Sequence, residues 1–270
     1  MRNWFHKVSV SLVLASAFAF ITGNTATATD PAHIETANLY VATIDPANND
    51  YGSPLSVYYD EQGVLHAESK CGSYAAHLFK ASYDTVTDSV FTGLFGSTSP
   101  AAQLWFAGLA AEGEYNNQDG TFSTHVVPTV DAIRCGDVLA AAYNTNSGAT
   151  GHVMIADTLN EVGPQNLSPG KIPCYASAIR WDVMIHDCTS SAHGSVDTRD
   201  GAEQNGQDDR GLGMGMIVLY EDANSGAIIG WKWSTTTSTI YQCVNPNAAN
   251  YRPMVAGYLA GPGLPTGDED

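Results

Sequence analysis

The chain is 270 residues long, and its 28 acidic residues outnumber its 11 basic ones, which gives a formal net charge of −17. Nucleic acids and anionic membrane surfaces bind to clustered Lys and Arg, so this charge argues against both as partners. The hydrophobic content of 44% is that of an ordinary globular chain, long enough for one sizeable core.

The first 28 residues have the pattern of a secretory signal peptide. Arg2 and Lys7 make a basic start, an apolar run follows from Val8 to Ile21, and Ala26-Thr27-Ala28 supplies the small residues of a cleavage site. An uncleaved membrane anchor is the alternative, although the apolar run is shorter than the roughly 20 residues that a span needs. We expect a secreted or periplasmic protein without stable membrane insertion after cleavage, with residues 29–270 as a single domain.

The chain has five cysteines, and an odd count in an exported protein leaves one thiol unpaired. With Cys71 set aside, the other four allow three disulfide pairings, and the sequence does not choose among them; free buried thiols are the alternative. These four are Cys135, Cys174, Cys188 and Cys243.

Cys71 stands at the start of a predicted helix. Tyr74, Ala75, Leu78 and Phe79 follow it at helical spacing, and Ser69 is a candidate N-cap for that helix. A thiol in the first turn lies at the positive end of the helix dipole, which lowers its pKa and favours the thiolate. The position is that of a nucleophile, with a structural cysteine as the plain alternative.

A thiolate catalyst also needs a base from elsewhere in the fold. His152 opens the segment GHVMIAD at 151–157, directly after the apolar segment CGDVLAAAY at 135–143, so a Gly/Asn/Ser turn joins two predicted strands and the histidine begins the second. A histidine at the mouth of a buried strand is either a satisfied structural residue or a functional one.

These segments, with WDVMIHDCTSS at 181–191 as a third strand, resemble the NlpC-type and CHAP branches of the papain-like cysteine peptidases and amidases. The resemblance covers roughly residues 65–190. It implies an α+β fold with a papain-like (NlpC-type) core, in which the helix bearing the cysteine packs on an antiparallel sheet. This chain departs from the family pattern at two places: it has Lys70 where an acidic residue is usual, and it has a long inserted loop over 157–180.

The resemblance implies that Cys71 is the nucleophile and His152 the base. The residue that orients His152 is left open, because the NlpC pattern favours His186 and the CHAP pattern favours Asp187. Because adjacent strand residues point to opposite faces, one of the two turns toward His152, and a carboxylate would both fix the tautomer and support the imidazolium. We lean to Asp187.

The implied function is cleavage of amide or peptide bonds, in peptides of bacterial cell walls, with no cofactor and no metal. A binding module for glycan or peptide without turnover, and an acyl or amide transferase, are the alternatives. A zinc site formed by His186, Cys188 and His193 is a further alternative, which metal analysis would test.

The C-terminal part is predicted to extend the sheet. Residues 213–237 form two strand-like runs about an Asn-Ser-Gly turn, a hairpin signal, and residues 252–259 suggest a last strand. Trp231 and Trp233 fall on one face, as core residues or as a substrate platform. The polar segment 190–211 is expected to be a mobile loop beside the third strand.

Overall fold

The computed structural model of the chain describes residues 30–53, 55–143, 149–165, 178–199 and 209–265. Its helices are α1 (Ala32–Thr43), α2 (Cys71–Ser82), α3 (Asp88–Phe95) and α4 (Ala102–Ala111). Its strands are β1 (Asn49–Tyr51), β2 (Ser56–Tyr59), β3 (Leu65–Ser69), β4 (Glu114–Asn117), β5 (Gly120–Val127), β6 (Val138–Ala142), β7 (Gly151–Gln165), β8 (Ala178–Thr189), β9 (Gly211–Asp222), β10 (Ile228–Lys232), β11 (Tyr241–Gln242) and β12 (Met254–Ala260). The predicted signal peptide lies outside the described residues.

A nine-stranded antiparallel sheet makes up most of the described structure, in the order β11-β10-β9-β8-β7-β6-β12-β5-β4. A second sheet has three strands in the order β1-β3-β2. The described structure is mostly β, with four short helices beside the large sheet, so the expected α+β fold with a papain-like core on a small antiparallel sheet is wrong. The error has a physical cause: β12 comes from the end of the chain and inserts between β5 and β6, and no local pattern announces such a pairing.

Alternate residues of the central strands supply two separate cores. Val138 and Ala140 of β6 face the layer of helices, whereas Leu139 and Ala141 face the opposite side. α2 packs on β7 and β8, and α4 packs on β5, β6 and β12. On the opposite side the second core gathers residues from β6 to β10 and from β12, with Trp231 fully buried among them.

The sheet curls around this second core. β10 and β12 are five positions apart in the strand order, which in a flat sheet would separate them by roughly 24 Å. Nevertheless the indole Nε1 of Trp231 donates to the backbone oxygen of Arg252 at 3.0 Å, and the backbone N–H of Arg252 donates to the oxygen of Gln242. The curl therefore brings the segment before β12 beside β10 and β11.

Two other expectations about local structure are affected. Residues 157–165 continue β7 and residues 178–180 begin β8, so the loop expected over 157–180 is wrong in its bounds; residues 166–177 lie outside the described residues. Pro164 is tolerated because this part of β7 pairs with β8 alone. The hairpin expected over 213–237 is present as β9 and β10, and β12 occupies the segment expected as a last strand.

None of the helices in the described part of the chain is long and apolar enough to cross a membrane.

Candidate active site

Cys71 is the first residue of α2, and β3 runs directly into this helix. The N-cap is Lys70, which makes no side-chain cap, and Ser69 is the last residue of β3, so the expected Ser69 cap is wrong. Gly72 allows the close approach that fixes this helix start: a Cβ there would lie 2.3 Å from the Pro100 oxygen. The indole of Trp105 on α4 donates to the Gly72 oxygen at 3.0 Å and ties the start of α2 to α4.

His152 is the second residue of β7, opposite Ala141 on β6. Gly151 precedes it with a φ of +149°, and a Cβ at that position would lie 2.0 Å from the Ala141 oxygen, so a glycine is required where the strand begins. His152 is 4% exposed and Cys71 is 7% exposed. The two side chains interact electrostatically, because each shifts the pKa of the other.

Asp187 on β8 holds the other side of the His152 ring. Nε2 of His152 donates to Oδ2 of Asp187 at 2.6 Å, which leaves Nδ1 as the ring nitrogen for the Cys71 sulfur. His186 points to the opposite face of β8, where its Nε2 lies 3.6 Å from Oδ2 of Asp157. The structure thus brings together Cys71, His152 and Asp187, and it leaves His186 outside this group.

The electrostatics of the Cys71–His152 pair favour the charged form. Burial raises the pKa of the Cys71 thiol, but the charge and hydrogen bond of His152, with backbone hydrogen bonds at Val153 and Gly72, outweigh it, and the net pKa is lowered. Burial lowers the pKa of His152, whereas Cys71 and Asp187 raise it, to about 9. A lowered thiol pKa beside a raised imidazole pKa describes a thiolate–imidazolium pair.

Asp187 lies fully buried in a network of its own. Oδ2 also accepts from Nε2 of His193 at 2.9 Å, and Oδ1 forms an ion pair with Nη2 of Arg199 at 2.8 Å. Asp197 accepts from the Arg199 guanidinium and from the backbone N–H of His193, both at 2.7 Å. Burial raises the pKa of Asp187, but Arg199, His193 and His152 outweigh it and hold that pKa well below the usual range.

Residues 190–199 form a loop without helix or strand, as expected, but His193, Asp197 and Arg199 anchor it in the protein. The three side chains are 0%, 5% and 3% exposed. Glycines on β9 provide the space: a Cβ on Gly213 would lie 2.7 Å from Nε of Arg199, and one on Gly215 would lie 2.5 Å from Oδ2 of Asp197. Residues 200–208 lie outside the described residues.

Two aromatic groups complete the described surroundings of His152. The Trp233 ring stacks on His193 with centroids 4.1 Å apart and lies 4.8 Å from the His152 ring. Burial raises the pKa of Tyr143, at the end of β6, and the negative charge of Cys71 contributes to the rise. Trp231, in contrast, is a core residue.

His152, Asp187 and His193 place their ligand atoms within 4.8 Å of one another, a spacing that a metal ion could bridge. However, the N···O distances of 2.6 and 2.9 Å are those of direct hydrogen bonds, whereas two ligands on a tetrahedral zinc lie about 3.3 Å apart. Arg199 also supplies the positive charge that a cation would bring. The geometry is that of a hydrogen-bonded cluster. The alternative zinc set is not assembled, because His193 faces Asp187 while His186 faces Asp157.

Cys71, Cys135, Cys188 and Cys243 carry free thiols, so no disulfide joins any two of the described cysteines. Cys174 lies outside the described residues. Burial raises the pKa of Cys135 and of Cys243 to about 12 and that of Cys188 well above the ordinary thiol value. Among the four described thiols, Cys71 is therefore the one with a lowered pKa.

No family model matches the chain, and no solved structure matches it. An uncharacterized protein of Acanthamoeba polyphaga mimivirus is 23% identical over 185 residues, which cover 67% of this chain and 75% of the viral protein. This similarity carries no activity with it, so the function has to be argued from the site.

Proposed function

We propose that the protein is an exported cysteine hydrolase that cleaves amide or peptide bonds, with Cys71 as the nucleophile and His152 as the acid and base. The observation that carries the proposal is the contact chain from Cys71 through His152 to Asp187, with a lowered thiol pKa and a raised imidazole pKa. Export rests on the signal-peptide pattern of residues 1–28.

The reaction would begin with attack of the Cys71 thiolate on an amide carbonyl, forming a C–S bond and a tetrahedral oxyanion. The backbone N–H of Cys71, one of the N–H groups without an intrahelical acceptor at the start of α2, would stabilise that oxyanion. The His152 imidazolium then gives its Nδ1 proton to the leaving amine as the C–N bond breaks.

Hydrolysis of the acyl-enzyme completes the cycle. Neutral His152 takes a proton from water, the hydroxide adds to the thioester carbonyl, and the acid leaves with regeneration of the thiolate–imidazolium pair. Asp187 keeps the ring oriented and supports its positive charge in both halves of the reaction. A cell-wall peptide is the substrate class that the sequence resemblance implies.

The first test measures the reactivity of Cys71. Brief treatment with iodoacetamide at pH 6 should give one carbamidomethyl adduct, which peptide mapping assigns to Cys71. Cys71→Ala should give none, whereas Cys135→Ala, which removes a thiol with a raised pKa, should label like the wild type. Slow labelling of Cys71 at the rate of an ordinary thiol would contradict the proposal.

The second test measures turnover. Cell-wall stem peptides and an unrelated peptide mixture are incubated with wild type, Cys71→Ala, Cys71→Ser and Cys135→Ala, and the products are identified by mass spectrometry. We expect cleavage by wild type and Cys135→Ala and a loss of at least about a thousandfold in both Cys71 variants. Undiminished cleavage by Cys71→Ala would rule out Cys71 as the nucleophile.

A further inference from the structure

Arg252, just before β12, lies between two aromatic rings instead of beside a carboxylate. Its Cζ is 4.1 Å from the ring centroid of Tyr143 and 4.0 Å from that of Tyr241. The side chain is half-buried, and no carboxylate in the described part of the chain forms an ion pair with it. Stacking on two faces fixes the guanidinium plane and leaves N–H groups at its edge for a planar anion.

The register of the sheet places Arg252 on the face and at the end of the sheet that carry His152. Met254 pairs with Ala141, and Ala141 pairs with His152, so these three residues share one face. Arg252 precedes Met254 by two residues, and its contacts with Tyr143 and Tyr241, both packed against the second core, place it on the same face. The backbone N–H of Tyr143 donates to the oxygen of Thr150, which puts Tyr143 diagonally across from His152 on that face.

Tyr143 links the arginine to the candidate active site. The guanidinium of Arg252 stacks on the Tyr143 ring, and Tyr143 lies diagonally across from His152. The charge of Cys71 also contributes to the raised pKa of Tyr143. The curl of the sheet adds Tyr241 from β11 on the other side of the guanidinium. Among the described residues, Arg252 is thus a cation without a carboxylate ion pair, on the same face and at the same end of the sheet as His152, in a chain with 28 acidic residues and 11 basic ones.

We propose that Arg252 binds a carboxylate of the substrate next to the bond that is cleaved. This inference rests on the proposed function and deepens it, because it assigns the substrate class as peptides with an ionised carboxylate close to the scissile amide. A guanidinium edge binds a carboxylate through two parallel charge-assisted hydrogen bonds. The carboxylate belongs either to an acidic side chain or to the C-terminus of the peptide.

The test uses three thiol alkylating reagents that differ in the position of one charge. Chloroacetyl-glutamine amide is neutral, chloroacetyl-glutamate α-amide carries a side-chain carboxylate, and chloroacetyl-glutamine carries a terminal carboxylate. The rate constant for alkylation of Cys71 is measured for each reagent in the wild type, Arg252→Gln, Arg252→Lys and Arg180→Gln. Arg180 pairs with Asp182 at the far end of β8 and provides a charge-matched control.

The readout is the rate constant of each acidic reagent divided by that of the neutral reagent in the same variant. A general change in thiol reactivity cancels in this ratio. We expect one acidic reagent to react about tenfold faster than the neutral reagent in the wild type and in Arg180→Gln. That ratio should fall about tenfold in Arg252→Gln and be intermediate in Arg252→Lys, which keeps the charge and loses the planar fork. The favoured reagent identifies the side-chain or the terminal carboxylate.

Equal ratios in the wild type and Arg252→Gln, or no preference for either acidic reagent in the wild type, would overturn the inference and leave the proposed function standing. Failure of Cys71 to react faster than an ordinary thiol with all three reagents would contradict the proposed function itself, and the inference with it.

Discussion

His193 donates from Nε2 to Oδ2 of Asp187 at 2.9 Å, the same oxygen that accepts from His152. Its other ring nitrogen, Nδ1, lies 2.6 Å from the backbone oxygen of Trp233. An ionised carboxylate and a carbonyl both only accept, so both nitrogens of His193 face acceptors. Arg199 and His193 together lower the pKa of the carboxylate that orients His152.

Replacing His193 with Gln should shift the pH dependence of the active site. The amide can still donate to Asp187, but the electrostatic effect of His193 is lost, and without it both the thiol and the imidazole hold their protons more tightly. We expect both limbs of the kcat/KM profile to move to higher pH, by on the order of one pH unit. His66→Gln, which removes a histidine paired with Asp60 on the small sheet, should leave the profile in place. An unchanged profile in His193→Gln would contradict an electrostatic role of His193 in the site.

The Cys71–His152 pair predicts different pH profiles for hydrolysis and for alkylation. The pKa of Cys71 is lowered and that of His152 is raised to about 9, so the thiolate–imidazolium pair exists between these two values. Hydrolysis needs the His152 proton and should therefore fall as the pH rises through about 9. Alkylation needs only the thiolate and should stay constant there.

Rates of iodoacetamide alkylation and of peptide hydrolysis, measured from pH 4 to pH 10, check this difference. An alkylation rate that rises tenfold per pH unit up to the ordinary thiol range would mean that Cys71 is an isolated thiol.

Single substitutions of Asp187 and of His186 distinguish the two candidates for the residue that orients His152. Asp187→Asn removes the acceptor that supports the imidazolium and leaves Arg199 and His193 with Asp197 as their nearest anion, so we expect kcat/KM to fall by about 10²–10⁴-fold. His186→Gln changes a side chain on the other face of β8, and we expect kcat/KM within about twofold of the wild type.

Circular dichroism and thermal unfolding of both variants check that each is folded. An equal loss of kcat/KM in the two variants would mean that residue 187 has no special role.

Local sequence pattern was sufficient to pick out Cys71, His152 and Asp187, the three residues that meet in the site. Cys71 opens a helix and His152 opens a strand, and strand alternation requires Asp187 and His186 to face opposite ways, although not which way. His193 and Arg199 could not be found in this manner. They lie in a polar segment with the composition of a loop, and their burial depends on glycines 213 and 215, which are distant in sequence.

The strand order of the sheet could not be predicted from local pattern for a related reason. Each strand of the C-terminal part has an apolar signal, but the placement of β12 between β5 and β6 is a contact between residues more than a hundred positions apart. Arg252 gains its place beside Tyr143 and Tyr241 from that insertion and from the curl of the sheet. The contacts from which we infer a substrate role for Arg252 therefore exist only in the folded chain.

His33 on α1 makes the fold itself sensitive to acid. The ring is 3% exposed, its Nε2 donates to the Gly136 oxygen at 2.9 Å, and its Nδ1 accepts from the hydroxyl of Tyr83 at 2.8 Å, an arrangement that requires the neutral imidazole. Burial lowers the pKa of His33 from 6.5 to about 4. Between these two values the unfolded chain binds the proton and the folded chain does not.

The free energy of unfolding should therefore have its full value above pH 6.5. It should fall as the pH drops toward 4, by on the order of 3 kcal/mol for His33 alone. His33→Gln stays neutral at every pH, so its stability should be lower at pH 7 and should change less between pH 7 and pH 4.5 than that of the wild type. Urea unfolding of wild type, His33→Gln and His66→Gln at the two pH values measures the difference, with His66→Gln expected to keep most of the wild-type slope. Equal pH dependence in all three proteins would show that His33 is protonated in the fold, against the hydrogen bonds that its ring makes.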